Sequence, residues 1–82
     1  MFDKKVFVRI NSKLKDSSGN MITYDGKLIT TEEAKQYFAN FDDAVFKGTT
    51  FYLELINSLF ISIPISEVYN IMLYPEDILS NE

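Results

Sequence analysis

Residues 49–65, TTFYLELINSLFISIPI, form the longest apolar run in the chain. The run is rich in β-branched and aromatic residues, which favour strands, and it is interrupted near its middle by Asn57-Ser58. We therefore expect a β-hairpin with strands at about 49–56 and 59–65. Because Pro64 cannot donate a backbone hydrogen bond, the second strand should end there or lie at a sheet edge.

The register of this hairpin follows from the length of its loop. A two-residue loop would place Tyr52 opposite Ile63 and Glu54 opposite Ile61. The other face would then carry Phe51, Leu53, Leu55 and Phe60. A nearly buried helix is the alternative, because Glu54, Ser58 and Ser62 recur every four residues.

The segment before this run reads as strands and turns. From Lys4 onward, one face should carry Val6, Val8, Ile10 and Leu14, and the other Lys5, Phe7, Arg9, Asn11, Lys13 and Lys15. A turn cluster follows at 16–20. Asp25-Gly26 then predicts a type I′ turn between short strands at 21–24 and 27–30, the alternative being a loop without strands.

Two helices are predicted. The first spans about 31–47, with Thr30 and Glu33 as a capping box, Gly48 after its last turn, and an apolar stripe of Ala34, Tyr37, Phe38, Phe41 and Val45. The second is a short C-terminal helix at about 67–74, begun by Ser66 and ended by Pro75. The acidic tail at 76–82 should either add one turn or fray.

These elements indicate an α+β fold in a single domain, residues 1–82. A small antiparallel sheet of about five short strands, including two hairpins, would be packed by the helix at 31–47. A partly closed barrel is the alternative, and the strand order stays open.

The residue inventory argues against most enzyme classes. The chain has no His and no Cys, so the usual general base, nucleophile and zinc ligands are missing. Its three glycines are scattered and form no phosphate-binding loop. We expect a non-enzymatic protein without cofactor or metal; a carboxylate-dependent enzyme is the remaining alternative. The absence of cysteine fits a reducing compartment, so a cytoplasmic location is expected, and residues 51–65 are too short to span a membrane.

Charge is distributed unevenly along the chain. Residues 1–20 carry five basic and two acidic side chains, whereas residues 49–82 carry five acidic and no basic ones, within a net charge of −4. Phe7, Arg9, Lys13 and Lys15 would form a basic strand face suited to single-stranded nucleic acid, which is one alternative function. The acidic half suggests a second alternative, a nucleic-acid mimic. Glu54 would be either a buried acid or one that is exposed or paired with a cation of the first strand.

The leading hypothesis is a protein–protein interaction domain, such as an inhibitor or regulator, whose partner is another protein. The composition is typical of small accessory proteins of bacteriophages and mobile elements, and nucleic acid and membranes are not expected partners. A homodimer or a monomer is expected. The candidate interaction residues outside the basic face are Phe46, Glu76, Asp77, Ile78 and Leu79.

Overall fold

The computed structural model describes residues 5–80 and confirms the α+β class. The elements are, in chain order, β1 (Val6–Lys15), β2 (Met21–Asp25), α1 (Thr31–Lys47), β3 (Thr50–Glu54), β4 (Phe60–Pro64), a 3-10 turn (Ile65–Glu67), β5 (Val68–Pro75) and α2 (Asp77–Ser80). The strands form two antiparallel sheets, one in the order β2-β1-β5 and the other of β3 and β4.

β1 is the central strand of the larger sheet and is buried on both faces. Val6, Val8 and Ile10 are buried, as the alternation predicts. Val6 and Val8 pack with Ile29 and with α1, whereas Ile10 packs with the core residues of β3 and β4. Phe7, predicted to lie on an exposed basic face, is instead fully buried at 0% exposure. Its ring stacks on Tyr74 of β5 with a centroid distance of 5.8 Å, a contact that a half-buried edge strand would not have. Leu14, predicted to lie on the inner face, is exposed near the end of the strand.

The predicted helix at 67–74 is wrong, because these residues form β5. They pair with β1 in a register that joins Val6 to Pro75 and Asn11 to Asn70. The apolar residues of this short segment fit the period of a strand as well as that of a helix. A helix of this length is also only marginally stable by itself. Pairing with the exposed edge of β1 satisfies the backbone groups along one edge of the segment, so the tertiary contact decides its conformation.

The predicted hairpin at Asp25-Gly26 is also wrong. β2 pairs with β1 instead, through the turn at 16–20. Gly26 does not adopt positive φ, and its N–H donates to the carbonyl of Val8 at 2.8 Å. Residues 27–30 form no strand: Ile29 makes an isolated bridge to Val6, and the Lys27 N–H donates to the Glu54 carbonyl at 3.0 Å. The glycine therefore serves close packing, since a Cβ there would lie 3.2 Å from both the Val8 carbonyl oxygen and a methyl of Leu53.

The hairpin at 49–65 is confirmed, but its register is shifted by one residue from the prediction. Tyr52 pairs with Ser62, and Glu54 pairs with Phe60. The shift arises because the loop consists of Ile56, Asn57 and Ser58, with Ser58 at φ 70 and the Leu55 N–H donating to Leu59. This three-residue loop is a common hairpin connection that ends on a left-handed residue.

α1 forms where predicted, with the Thr30–Glu33 capping box and a left-handed Gly48 at its end. It packs over both sheets, and Phe41 meets Phe51 edge to face at 5.5 Å. The predicted stripe is wrong at its last position: Val45 is exposed and Ala44 is buried instead. The ideal helical period of 3.6 residues places either residue near the stripe, and the contact with the sheet selects the smaller one.

The tail adds one helical turn, α2, which is one of the two predicted outcomes. The Glu76 N–H donates to the Lys5 carbonyl at 3.1 Å, so the tail begins beside the start of β1. Residues 81–82 lie outside the described residues.

Candidate interaction surface

The β3–β4 hairpin exposes four large apolar side chains, which we call the hairpin surface: Tyr52, Ile56, Leu59 and Phe60. Their exposed fractions are 69% for Tyr52, 48% for Ile56, 62% for Leu59 and 75% for Phe60. Tyr52 and Phe60 lie on the same face of the ladder as diagonal neighbours, because Tyr52 opposes Ser62 and Phe60 opposes Glu54. Ile56 and Leu59 extend the surface around the loop.

The hairpin surface is a consequence of strand alternation. Phe51, Leu53 and Ile63 are buried against the rest of the core, so the intervening residues must face the other side. In β4 the observed register places Phe60 on that outer side. No second layer covers it among residues 5–80, so an aromatic ring remains in contact with solvent.

A polar border surrounds one side of the hairpin surface. The Lys27 ammonium lies 3.0 Å from a carboxylate oxygen of Glu54, beside Phe60. The hydrogen bond and the charge of Glu54 raise the pKa of Lys27 above its ordinary value. Glu54 is thus half-buried and paired, but its partner follows β2, whereas a cation of the first strand was the expected partner. Residues 55–66 carry no charged side chain.

The predicted basic face does not assemble as a stacking surface. Arg9 makes a bidentate ion pair with Asp25, with Nε and a terminal nitrogen at 2.6 and 3.1 Å from the two carboxylate oxygens. Its guanidinium also lies over the rings of Tyr74 and Phe7, at 5.0 and 5.6 Å from their centroids. Phe7 is buried, which leaves Lys13 and Lys15 as the exposed members of the predicted set.

The other predicted interaction residues lie on separate elements. Phe46 is the most exposed aromatic residue among those described, at 86%, and lies in the last turns of α1. Glu76 and Asp77 are exposed around the start of α2, while Ile78 and Leu79 are half-buried within it. Phe46 and the tail residues thus belong to different elements, and the tail begins beside Lys5 at the start of β1.

No member of the hairpin surface is among the interaction residues predicted from the sequence. The alternation of residues 51–55 already indicates that Tyr52 faces the side opposite to Phe51 and Leu53. Phe60 was missed because the register of the predicted two-residue loop places it on the same face as the buried residues.

A shallow apolar groove runs along α1, away from the hairpin surface. It is lined by Ala34, Phe38 and Ala39 of α1 and by Leu73 of β5, with Thr31, Lys35 and Asp42 at its border. Its walls present no converging polar groups of the kind that orient a small ligand, so the groove is not a candidate ligand site.

Searches of protein-family models, of curated proteins and of solved structures find no match to this chain. Neither helix within residues 5–80 combines the length and the apolar composition that crossing a bilayer requires.

Proposed function

We propose that the chain is a non-enzymatic protein–protein interaction domain that binds its partner through the hairpin surface and acts as an inhibitor or regulator. The observation that carries this proposal is the exposure of Tyr52 and Phe60 as diagonal neighbours on the outer face of one hairpin, with Ile56 and Leu59 exposed at its loop. Isolated exposed apolar residues are normal on a monomer, whereas a contiguous group with a polar border is typical of interaction sites.

The composition of the hairpin surface supports a protein as the partner. Tyrosine is enriched among the residues that dominate binding energies, and the centres of interfaces are depleted in charge. The uncharged segment at 55–66 supplies such a centre, and the Lys27–Glu54 pair supplies part of a rim. The cytoplasm is the location we propose, in keeping with the absence of cysteine.

The proposal is tested by capture of partners from lysate of the source cells on the immobilised full chain. The variant Tyr52→Ser with Phe60→Ser should lose the captured protein, because both rings leave the surface. Phe46→Ser is the matched control, since it removes an exposed aromatic residue elsewhere and should retain capture. Retention by the double variant, or loss by the control alone, would contradict the proposed site.

Direct titration of the captured protein then measures the effect. We expect the double variant to weaken binding by at least about 2 kcal/mol, which is the scale of residues that dominate an interface. Unfolding of all variants followed by circular dichroism shows whether the fold is intact, which it should be because both rings are solvent-exposed.

The nucleic-acid alternative needs a separate assay. Lys13 and Lys15 are exposed, so replacing both with alanine removes basic charge without disturbing the half-buried Arg9–Asp25 pair. Fluorescence anisotropy with labelled single-stranded and duplex DNA or RNA at low salt should show no salt-sensitive binding. Binding that this lysine variant abolishes would replace our proposal with the nucleic-acid function.

A further inference from the structure

The outer edge of β4 carries unpaired backbone groups. In the observed ladder the N–H of Leu55 donates to Leu59, and that of Ile65 donates to Thr49. Backbone groups alternate in direction along a strand, so Leu59, Ile61, Ile63 and Ile65 direct theirs toward β3. Phe60 and Ser62 therefore direct both N–H and C=O away from β3, and no segment within residues 5–80 pairs with them.

This edge also lacks most of the features that keep sheet edges from associating. Edge strands are usually protected by charged side chains, bulges or proline. β4 has no charged residue and pairs with β3 in an unbroken register, so Pro64 is its only protective feature. β5, at the edge of the other sheet, has a register shift against β1 and ends at Pro75.

We propose that the outer edge of β4 pairs with the same edge of a second copy of this chain, antiparallel about a two-fold axis at Ser62. This inference goes beyond the proposed function, because the β4 edge is distinct from the outer face that carries Tyr52 and Phe60. A register centred on Ser62 overlaps the full length of β4 and joins each Phe60 to Pro64 of the other copy. The two Ser62 residues exchange N–H···O=C bonds, and each Phe60 N–H donates to the Pro64 carbonyl of the other copy.

The strand is self-complementary in this register. Pro64 lacks a donor, but it lies at the end of the overlap, so the central bonds are unaffected. On the outer face each Phe60 ring would meet the Pro64 ring of the other copy, with the small Ser62 side chains at the axis. On the inner face Ile61 would oppose Ile63, which continues the apolar core from one copy into the next.

Charge also favours a second copy. Each copy has a net charge of −4, yet residues 55–66 are uncharged, so the two chains can approach there without like charges in contact. On the outer face, edge pairing brings only Phe60, Ser62 and Pro64 of each copy against the other copy, so the interface is small and the dimer should be weak.

Sedimentation equilibrium of the full chain over protein concentrations up to roughly 1 mM tests the association. We expect a monomer–dimer equilibrium that Ser62→Lys weakens at least tenfold, because it places two ammonium groups at the axis. Ser66→Lys is the matched control: it makes the same charge change at an exposed position beyond β4 and should leave the equilibrium unchanged.

Crosslinking provides a second measurement that does not depend on a charge change. The natural chain has no cysteine, so Ser62→Cys introduces a single thiol. Cα atoms of a hydrogen-bonded antiparallel pair lie about 5.5 Å apart, within the range that a disulfide can bridge. Under mild oxidation, Ser62→Cys should form the covalent dimer at least ten times faster than Ser66→Cys.

A chain that stays monomeric at every concentration overturns the inference, as does a dimer whose affinity is insensitive to Ser62→Lys. Equal crosslinking of the two cysteine variants does the same. If these results occur while capture of another protein still depends on Tyr52 and Phe60, the proposed function survives and only the pairing of β4 edges is wrong. If capture does not depend on Tyr52 and Phe60 but the Ser62-centred dimer forms, the proposed function is wrong and the dimer inference stands.

Discussion

Gly26 is expected to tolerate alanine better than asparagine, the reverse of what a turn glycine would show. A Cβ at this position would lie 3.2 Å from the Val8 carbonyl oxygen and 3.2 and 3.3 Å from the two methyls of Leu53. Comfortable carbon contacts begin at about 3.5 Å, so the neighbours must move by a few tenths of an ångström. Leu53 is buried, and the Val8 carbonyl already accepts the Gly26 N–H, so neither can move freely.

The expected magnitude combines two opposing effects. Overpacking of a core typically costs about 1–3 kcal/mol, whereas replacing glycine by alanine recovers about 0.5–1 kcal/mol of unfolded-state entropy. Gly26→Ala should therefore lower the free energy of unfolding by about 0.5–2 kcal/mol. At about 4–8 °C per kcal/mol for a domain of this size, Tm should fall by about 2–16 °C. Gly26→Asn should cost at least about 1 kcal/mol more, because its larger side chain enters the same space.

Gly19 is the matched control, because it has φ +84 and a Cβ added to it would have no neighbouring atom within 4 Å. There alanine should cost about 1 kcal/mol for its left-handed backbone, and asparagine less, since asparagine tolerates that conformation. Urea unfolding followed by circular dichroism, with m-values compared, measures all four variants. If Gly26→Asn is more stable than Gly26→Ala, the close-packing argument is wrong and Gly26 is a turn residue.

Three further predictions concern the ion pair, the helix start and the aromatic residues of α1. Arg9→Ala should lower the free energy of unfolding by about 2 kcal/mol, because it leaves the half-buried Asp25 carboxylate without its bidentate partner. Urea titration measures the change, and a value below about 0.5 kcal/mol would contradict this reasoning. Hydrogen bonds from the Thr30 backbone and hydroxyl lower the pKa of Glu33. The stability that Glu33 contributes is therefore complete above its ordinary pKa and is lost as pH falls through the pKa in the folded state. Glu33→Gln should reduce the loss of Tm on the acid side, and an unchanged pH profile would refute the linkage. Phe41→Ala should cost about 3 kcal/mol because its ring packs against Phe51, whereas Phe46→Ala should change the free energy of unfolding by less than about 0.5 kcal/mol; thermal unfolding of the two variants at equal Tm would exclude this assignment.

Features set by local chemistry were predictable from the sequence. The capping box of α1 joins Thr30 to Glu33, three residues away, through bonds of 3.1 Å in both directions. Gly48 ends the helix because it adopts the left-handed conformation without strain. The strands of the β3–β4 hairpin likewise follow from a local apolar alternation, and the five-strand α+β outline rests on these elements.

Features that depend on a distant partner were not predictable. Residues 67–74 carry apolar spacing compatible with a helix, and only the edge of β1 makes them a strand. Gly26 closes no hairpin because its N–H donates to Val8 of β1 and the residues beside it bond to the end of β3 and the loop after it. Phe7 is buried for the same reason, since the ring of Tyr74 comes from the strand that was predicted to be a helix.

The candidate site was not predicted from the sequence because the length of the hairpin loop was wrong by one residue. Predicting a two-residue loop in place of Ile56, Asn57 and Ser58 shifts every cross-strand pair and assigns Phe60 to the wrong face. The cue for the longer loop was Asn57, whose side-chain oxygen accepts the Leu59 N–H at 3.1 Å. Such side-chain turns are common for asparagine, but they do not determine loop length by themselves.

The pairing of β1 with β5 constrains how the chain can fold during synthesis. β1 leaves the ribosome early, yet the strand that completes one of its edges is the last strand of the described chain to emerge. Until then β1 can form only its pairing with β2, and the apolar segment VFVRI keeps one edge open. Such species are prone to aggregate, and non-local strand pairing is slow. The larger sheet can therefore be completed only after translation has passed Pro75. During the time that the ribosome takes between β1 and β5, the open edge of β1 is exposed to aggregation.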